Sequence, residues 1–297
     1  MKVFVTGGSG FIGSRLTPYL LEQGHSVRVF DLKKPKQKAV DFVEGDICCY
    51  DDVLSSIKGY DSVIHLAAKT SVAESVEKPA EYYRVNVTGS FNVMKACVDA
   101  SIKRFVYTSS AAVYGNPAEL PLKETSPASP LSPYGASKLA PEFFSAAFTR
   151  SYGLEAVVLR LFNVYGPNQT NNDYSGVITK FLERLREGKA PVIQGTGLQS
   201  RDFIHIKDVL NAITLAIERP GIGGETFNVA SGNPITVEGL ANLMISLSGK
   251  PLKPTHAPIR PADIMYSYAD IEKAKKFLGF VPNISLEEGL KSVLFYR

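Results

Sequence analysis

A tyrosine and a lysine four residues apart have the types and spacing that acid–base chemistry requires. Tyr134 and Lys138 begin and end the stretch Tyr-Gly-Ala-Ser-Lys, and residues i and i+4 of a helix lie on one face. A tyrosine phenol has a pKa of about 10, and lowering it by ~3 units requires roughly 4 kcal/mol of differential stabilisation of the phenolate. A lysine ammonium and a second positive charge can supply that energy, so Tyr134 is predicted to act as a base toward a hydroxyl group.

A glycine-rich turn near the start of the chain has the composition of a phosphate-binding loop. Gly7, Gly10 and Gly13 are spaced as G-x-x-G-x-x-G between a strand-like and a helix-like segment. Small residues there permit a tight turn and let backbone N–H groups approach a pyrophosphate at the helix N-terminus. The turn, with Phe11 and Ile12, is therefore predicted to bind a dinucleotide, and a simple flexible turn is the alternative.

The residue at the end of the next strand-like segment indicates which dinucleotide is bound. Asp31 can accept hydrogen bonds from the adenosine ribose hydroxyls, and its charge repels a 2′-phosphate. Lys33 and Lys34 could instead partner that phosphate, but Leu32 rather than a basic residue follows Asp31. The sequence therefore favours NAD over NADP, and NAD bound here is expected to receive hydride from the carbon whose hydroxyl Tyr134 deprotonates.

Two serines end a further strand-like segment, Thr108-Ser109-Ser110. Open α/β sheets bind ligands at the carboxyl ends of their strands. Ser110 is therefore predicted to bridge the substrate oxygen and Tyr134, while Ser109 is predicted to contact the cofactor. Capping of the loop that follows is the alternative for both serines.

The bulk composition is that of an ordinary globular protein. Of its 297 residues, 44% are hydrophobic and 21% are charged, with a formal net charge of +4. The densest basic stretch, around Pro35, has no interleaved aromatic residues, which favours a solvated loop over a nucleic-acid site. Three cysteines without C-x-x-C spacing argue against disulfides and structural zinc. Without a leader or an apolar run of ~18 residues, a cytoplasmic protein with no metal, nucleic-acid or membrane partner is expected.

Short β-branched runs alternate with amphipathic stretches over the first two-thirds of the chain. Such alternation predicts βαβ units and an α/β fold with a doubly wound parallel Rossmann sheet. The predicted strands are 3–6, 26–30, 62–66, 105–109 and 156–161, and the predicted helices between them include 11–23, 80–100 and 134–152. Later segments are a loop at 166–176, a helix at 177–187, a strand at 191–194, a return to the main sheet at 206–218 and 226–230, and helices at 237–248, 271–278 and 286–294.

Two lobes are expected from this pattern. Residues 1–165 and about 203–232 are predicted to form the NAD-binding domain, and residues 166–202 and 233–297 a smaller, partly interleaved substrate domain. Pro18 and Pro141 fall within predicted helices, where proline removes a backbone donor and clashes with the carbonyl four residues earlier. Each should therefore kink its helix or indicate that the helix start is misplaced.

Taken together, these motifs resemble the extended short-chain dehydrogenase/reductase family, in its NAD-dependent sugar-nucleotide epimerase/dehydratase branch. The resemblance covers nearly the whole chain and rests on residues 7–13, Asp46-Ile47, His65-Leu66-Ala67-Ala68, Asn86-Val87-Thr88-Gly89, residues 109–115, 134–138 and 160–167, Arg201-Asp202-Phe203-Ile204-His205 and Arg260-Pro261-Ala262-Asp263. It implies cofactor contacts, to adenine from Asp46 and Ile47 and along the dinucleotide from Leu66, Ala67, Ala68, Asn86, Tyr134, Lys138 and Phe162. It implies that a sugar nucleotide is held by Asn163, Arg201 and Arg260, the arginines facing its diphosphate.

The same resemblance bears on residues outside the chemistry. His65 and His205 are interpreted as packing and hydrogen-bonding residues of the scaffold rather than acid–base groups. A surface ion pair is the alternative for each arginine. A homodimer packed through the helices near 80–100 and 134–152 is also expected.

Two alanines indicate which of the reactions of this branch the chain is predicted to catalyse. Related dehydratases carry an Asp-Glu pair directly after the catalytic hydroxyl residue, whereas this chain has Ala111 and Ala112. Methyl groups cannot transfer protons, so dehydration is disfavoured, and the carboxylate that decarboxylating relatives commonly place at Ala112 is missing too. We therefore predict a UDP-sugar 4-epimerase, with UDP-glucose and UDP-galactose as the default pair. A UDP-glucuronate 4-epimerase and a non-catalytic NAD-binding protein are the alternatives, and the presence of Tyr134 and Lys138 disfavours the second.

One position bears on the breadth of substrates. Ser267 matches a gate position of the epimerases, where a large aromatic residue restricts the pocket to unmodified hexoses and a small one admits an N-acetyl group at C2. The hypothesis is that UDP-N-acetylglucosamine is also converted. Matching shifted by one residue would substitute Tyr266 or Tyr268 and reverse this interpretation.

Overall fold

The computed structural model describes residues 1–37, 40–167, 169, 176–259 and 264–296. Its strands are β1 (Lys2–Thr6), β2 (Ser26–Asp31), β3 (Asp41–Glu44), β4 (Ser62–His65), β5 (Arg104–Ser110), β6 (Glu155–Leu161), β7 (Asn163–Tyr165), β8 (Val192–Gln194), β9 (Ser200–His205), β10 (Thr226–Val229), β11 (Pro234–Thr236), β12 (Thr255–Ala257) and β13 (Tyr266–Ser267). Its α-helices are α1 (Gly13–Glu22), α2 (Tyr50–Ile57), α3 (Val72–Glu77), α4 (Pro79–Tyr82), α5 (Ser90–Asp99), α6 (Pro133–Tyr152), α7 (Val177–Arg186), α8 (Ile206–Glu218), α9 (Val237–Ser248) and α10 (Leu286–Leu294). Two segments, Tyr83–Gly89 and Ala274–Leu278, are π-helical, and Ala111–Val113 is a 3₁₀ turn.

Seven of the described strands form one parallel sheet in the order β10-β6-β5-β4-β1-β2-β3. Its central strands are near-continuous apolar runs because helices cover both faces. Apolar side chains of α1 and α8 pack on one face, and those of α2, α5 and α6 pack on the other. The predicted doubly wound α/β fold is confirmed. The strand order reverses between β1 and β4, which is where such sheets bind ligands.

A second, smaller sheet has the order β11-β9-β13, with β7 also pairing with β9. Behind it lies a separate apolar core built from α7, α9 and α10, with Phe181, Met244 and Leu290 among its buried members. The chain enters this sheet through β7, directly after β6, and leaves it where β9 continues into α8. Residues 163–165 thus pair in the second sheet, although the prediction assigned them to the cofactor domain. The two-domain division itself stays a prediction.

The predicted helix 80–100 is interrupted. Its middle, Tyr83–Gly89, is π-helical, and α4 and α5 flank it. Gly89 allows the interruption to pack closely, because a Cβ there would lie 2.6 Å from the Ile47 side chain. π-Helical turns of this kind are often found at functional sites. The predicted helix 271–278 is likewise largely π-helical and ends at Gly279, whose φ is +77°.

Both awkward prolines lie inside helices, Pro18 in α1 and Pro141 in α6. The alternative of misplaced helix starts is therefore wrong for both. In α1 the carbonyl of Ser14, which cannot bond to a proline nitrogen four residues on, accepts a hydrogen bond from the Gln37 side chain at 2.5 Å. This partner shows how the helix tolerates Pro18.

Two bulk features of the chain can be checked against the described residues. None of their helices is long and apolar enough to cross a membrane. The three cysteines, Cys48, Cys49 and Cys97, are unpaired, as their odd number and spacing predicted. The cytoplasmic location stays a prediction.

Candidate active site and cofactor cradle

The glycine turn between β1 and α1 packs against the loop that follows β4. Gly7 has φ +71°, and a Cβ on it would stand 2.5 Å from the Ala67 nitrogen. A Cβ on Gly13 would stand 2.4 Å from the Gly7 carbonyl oxygen, which accepts a hydrogen bond from the Gly10 N–H at 3.1 Å. Only glycine fits at these positions, so the turn is a backbone cradle at the start of α1. Within the predicted set, Phe11 and Ile12 are half-buried and pack against the core.

Asp31 ends β2 beside this turn. Its Oδ2 accepts the Ser9 N–H at 3.0 Å and its Oδ1 accepts the Lys33 N–H at 3.1 Å. These two bonds fix the carboxylate next to the cradle and leave further lone pairs for a ligand. The geometry fits a ribose hydroxyl pair at this position.

Three catalytic candidates converge at the amino end of α6. The Ser132 hydroxyl caps the helix by accepting the Gly135 N–H at 3.1 Å, which sets Tyr134 in its first turn and Lys138 in its second. Ser110 ends β5; its hydroxyl accepts the Ala112 N–H at 3.2 Å, and it lies close enough to the Tyr134 phenol to oppose the rise in that group's pKa. The structure thus brings Ser110, Tyr134 and Lys138 together, and the capping alternative for Ser110 is true alongside its contact with Tyr134.

Burial acts in opposite directions on the two ionisable members of this group. Lys138 is 4% exposed, and burial lowers its pKa to about 7, although the Glu142 carboxylate opposes that shift. Its ammonium lies 4.6 Å from the centre of the Tyr107 ring. Burial raises the pKa of Tyr134, and Ser110 opposes the rise. Without ligand the phenol is therefore held protonated, and a base near neutrality requires added positive charge.

Asn86 fixes the relation between the loop after β4 and α6. It is 1% exposed and lies in the π-helical segment. Its Oδ1 accepts the Lys69 N–H at 2.8 Å, and its Nδ2 donates to the Lys69 carbonyl at 2.9 Å and to the Ser137 hydroxyl at 2.8 Å. Ser137 lies between Tyr134 and Lys138, so Asn86 ties the catalytic turn to the loop after β4. Its predicted contact with the cofactor stays a prediction.

The remaining predicted cofactor residues fall in two groups. Leu66, Ala67 and Ala68 directly follow β4 and are half-buried beside the glycine turn. Phe162 follows β6 and is buried, with its ring 6.3 Å from that of Tyr114. These residues all lie at the carboxyl edge of the main sheet, where a ligand is expected.

The proposed adenine contacts are constrained by other partners. Asp46 accepts the Cys48 N–H at 2.9 Å and lies 3.5 Å from the Arg84 guanidinium. The Ile47 side chain is buried in the core against Gly89, which leaves its backbone for any ligand. Contact of both residues with adenine stays a prediction.

A groove of about 270 Å³ opens beside the smaller sheet. Asn163 and Arg201, predicted to hold the sugar nucleotide, line it together with Lys180 and aromatic residues from α7 and β9. Asn163 donates to the Asp202 carbonyl at 2.9 Å, and Arg201 donates to the Ser200 carbonyl at 2.9 Å. Arg260, the second predicted arginine, lies outside the described residues. The groove combines cationic side chains with flat apolar ones, as binding of a nucleoside diphosphate requires.

Ser267 is the strand partner of a residue that lines this groove. It belongs to the two-residue strand β13, where it pairs in register with Arg201 of β9, and it is half-buried. The neighbouring Tyr266 is exposed. The role of Ser267 as a gate stays a prediction.

Comparison with known proteins decides the family. Residues 3–230 match the family model described as the NAD-dependent epimerase/dehydratase family. The chain belongs to this family. The resemblance and the NAD cofactor expected from the sequence are thereby confirmed, and the glycine cradle and Asp31 fit that cofactor.

Individual relatives match this chain over its whole length or nearly so. A UDP-glucose 4-epimerase of Mycolicibacterium smegmatis is 35% identical over 100% of this chain and 99% of its own. The crystal structure of the Thermotoga maritima UDP-glucose 4-epimerase with UDP-glucose has a TM-score of 0.95 and 36% identity, covering 100% of this chain and 98% of that one. The Methanobrevibacter ruminantium UDP-N-acetylglucosamine 4-epimerase, in complex with UDP-N-acetylmuramic acid, has a TM-score of 0.92 and 36% identity, covering 99% and 96%.

Sequence reasoning missed a buried ion pair behind the catalytic lysine. Glu142 lies one turn after Lys138 on α6, and Arg160 on β6 holds its carboxylate from 2.7 Å. Ser109 donates its hydroxyl to the same carboxylate, and its contact with the cofactor stays a prediction. The spacing of Lys138 and Glu142, four residues like that of Tyr134 and Lys138, was the available indication, but the pairing with Arg160 depends on the fold.

Proposed function

We propose that the protein is a UDP-sugar 4-epimerase, with UDP-glucose and UDP-galactose as its first pair. The observation that carries the proposal is the convergence of Tyr134, Lys138 and Ser110 beside the glycine cradle of an NAD-dependent epimerase/dehydratase chain. UDP-glucose 4-epimerases among its full-length relatives support the same reaction.

Each catalytic side chain has one role in this proposal. Tyr134 takes the proton of the C4 hydroxyl and returns it when the C4 ketone is reduced on its opposite face. Lys138 stabilises the phenolate, and Ser110 orients the C4 oxygen toward Tyr134. Bound NAD supplies a hydride acceptor that can give the hydride back. Asn163 and Arg201 hold the nucleotide end, so that the ketone can turn over within the site.

The 3₁₀ turn after Ser110 supports epimerisation over dehydration. Ala111 and Ala112 occupy the positions directly beneath the start of α6, where a Cβ on Gly135 would lie 2.7 Å from the Ala112 carbonyl oxygen. No proton-transferring side chain is available from these two positions. Inversion at C4 needs no further acid or base, because the same tyrosine serves both half-reactions.

The first experiment adds UDP-glucose, UDP-N-acetylglucosamine and UDP-glucuronate separately to the purified protein without added NAD, and follows the anomeric protons by NMR. We expect the C4 epimer of UDP-glucose to appear. The Tyr134→Phe variant should lose about 10²–10⁴-fold in rate while its cofactor content is unchanged. Conversion of UDP-glucuronate alone would replace the proposed substrate, and no conversion of any sugar with NAD supplied would contradict the function.

We further propose that the protein is a homodimer joined through α5 and α6. Phe91, Phe144, Phe148 and Tyr152 form a chain of ring contacts at 5.1–5.7 Å across these helices, and three of them are exposed. Aromatic surface of this kind is typical of interface cores. Light scattering should give twice the mass of one chain, and Phe144→Glu should reduce it to one. Phe295→Glu, at an exposed aromatic residue outside these helices, is the matched control and should leave the dimer intact; a monomeric wild type would overturn the proposal.

A further inference from the structure

The buried pair behind the catalytic helix turn has more contacts than a simple structural ion pair needs. Glu142 and Arg160 are 8% and 7% exposed. The guanidinium binds both carboxylate oxygens, with Nε 3.1 Å from each and Nη2 2.7 Å from Oε2. The Ser109 hydroxyl donates to Oε1. One carboxylate therefore joins α6, which carries Tyr134, to the end of β5, which carries Ser110.

The surroundings of Lys138 make the charge of this carboxylate important. Lys138 is buried with its ammonium over the Tyr107 ring, and its charge acts on His65 of β4. Burial lowers the pKa of His65 to about 3 and raises that of Tyr107 well above its usual value, so both are neutral near pH 7. Tyr82 of α4 packs edge-on against Tyr134, and its pKa is raised to about 12. Among the groups facing Lys138 in the described part of the chain, the negative charge is that of Glu142, and Arg160 behind it is positive.

We propose that Glu142 is a positioning residue of the reaction, which favours the protonated form of Lys138 and holds the Ser109–Ser110 strand end against α6. Arg160 weakens the electrostatic effect of Glu142 on Lys138, because its positive charge partly cancels the negative charge of the carboxylate. The proposal rests on the proposed function for its catalytic meaning, but the charge state of Lys138 can be measured without turnover.

The two members of the pair predict opposite shifts. Glu142→Gln leaves Arg160 uncompensated, so the pKa of Lys138 should fall by about one unit or more, whereas Arg160→Gln leaves the carboxylate uncompensated and should raise it. The double variant Glu142→Gln/Arg160→Gln should lie between wild type and Glu142→Gln. A purely structural pair predicts loss of stability in both single variants without opposite shifts, because each breaks the same bonds.

The experiment follows the ¹⁵Nζ chemical shift of Lys138 against pH in lysine-labelled protein, with Lys138→Met identifying its resonance. We expect the order Arg160→Gln, wild type, double variant, Glu142→Gln from highest to lowest pKa. Ser109→Ala, which removes a hydrogen bond but no charge, is the matched control and should leave the Lys138 pKa unchanged. Shifts of one sign in both single variants, or none, would overturn the proposal. Should the single variants not fold, an unchanged pKa in the double variant would do the same, and a lowered one supports it.

A pH profile connects the measurement to catalysis. Activity that needs the Lys138 ammonium is lost as pH rises through its pKa, so the alkaline limb of kcat should move in the same order as the NMR titrations. Ordered NMR shifts without any epimerisation would leave this inference standing and contradict the proposed function. Epimerisation without any shift of the Lys138 pKa in the variants would support the proposed function and overturn this inference.

Discussion

At the scale of single residues, the catalytic tyrosine can act as a base near neutral pH only when added positive charge stabilises its phenolate. Burial raises the pKa of Tyr134 and brings that of Lys138 down to about 7. A phenol that stays protonated cannot act as a base at neutral pH. The positive nicotinamide ring expected beside it is thus part of the base's activation, which ties proton transfer to the presence of the oxidised cofactor.

Substrate breadth is also a matter of one residue. Ser267→Tyr should reduce conversion of UDP-N-acetylglucosamine by at least about tenfold relative to UDP-glucose, because a bulky ring beside Arg201 would fill the space of the N-acetyl group. The ratio of kcat/KM for the two sugars measures this. Tyr266→Ser, at the neighbouring exposed position, is the control and should leave the ratio unchanged. Undiminished activity of Ser267→Tyr on the N-acetylated sugar would contradict the hypothesis that Ser267 admits the N-acetyl group.

At the scale of elements, long buried strands and amphipathic helices were predictable, and most short strands were not; β8, predicted at 191–194, is an exception. The helices α9 and α10 have the predicted bounds, because 3.6-residue periodicity is strong over nine or more residues. Residues 206–218, predicted only as a return to the main sheet, form helix α8, which packs against one face of that sheet. Strands β7, β11, β12 and β13 have two or three residues each, too few to show alternation. They form because partners distant in sequence supply their hydrogen bonds.

The residues of the catalytic site also fall into those that the sequence predicts and those that it does not. Tyr134, Lys138 and the glycine turn are local patterns, so their spacing reveals them. The roles of Asn86 and Glu142 depend on contacts with Ser137, Lys69 and Arg160, which come from other elements of the fold. No local pattern encodes those contacts, and the π-helical turn that aims Asn86 was predicted as an ordinary helix.

The glycine turn gives a prediction at the element scale. Gly7→Ala should abolish retention of NAD through purification, because the new Cβ would collide with the Ala67 backbone at 2.5 Å in a left-handed conformation. Gly24→Ala is the matched control, since Gly24 also has a positive φ, +82°, but no atom within 4 Å of its Cβ. Both lose about 1 kcal/mol of stability to backbone strain. Nicotinamide content measured after denaturation should be near zero in the first variant and normal in the second; normal content in both would contradict the cradle.

At the scale of the whole molecule, buried histidines make stability depend on pH. His65 is 1% exposed and bonded through Nδ1 to Thr6 at 2.6 Å and through Nε2 to Ser90 at 2.9 Å. Burial lowers its pKa to about 3, below its usual 6.5. The unfolded chain therefore binds a proton between these values that the folded chain does not, so stability is complete above pH 6.5 and falls as pH falls.

This linkage is measurable. The free energy of unfolding should fall between pH 7 and pH 5 by about 2 kcal/mol more in wild type than in His65→Gln, which lacks the titrating ring. Urea unfolding at several pH values tests it, and the carboxylates common to both proteins cancel in the difference. His256→Gln, at an exposed histidine, should retain the wild-type slope. Equal slopes in wild type and His65→Gln would contradict the assignment of His65 as a buried neutral scaffold residue.

The place of β10 at the edge of the main sheet has a consequence for biosynthesis. β10 pairs with β6, yet the whole groove-forming segment from β7 to β9 separates them along the chain, and α8 supplies much of the core on one face. A nascent chain released only as far as β6 has an unpaired strand edge and an uncovered apolar face. The cofactor half can therefore complete its core on the ribosome only after the ribosome has translated residue 229, by which time the segment from β7 to β9 has also been made.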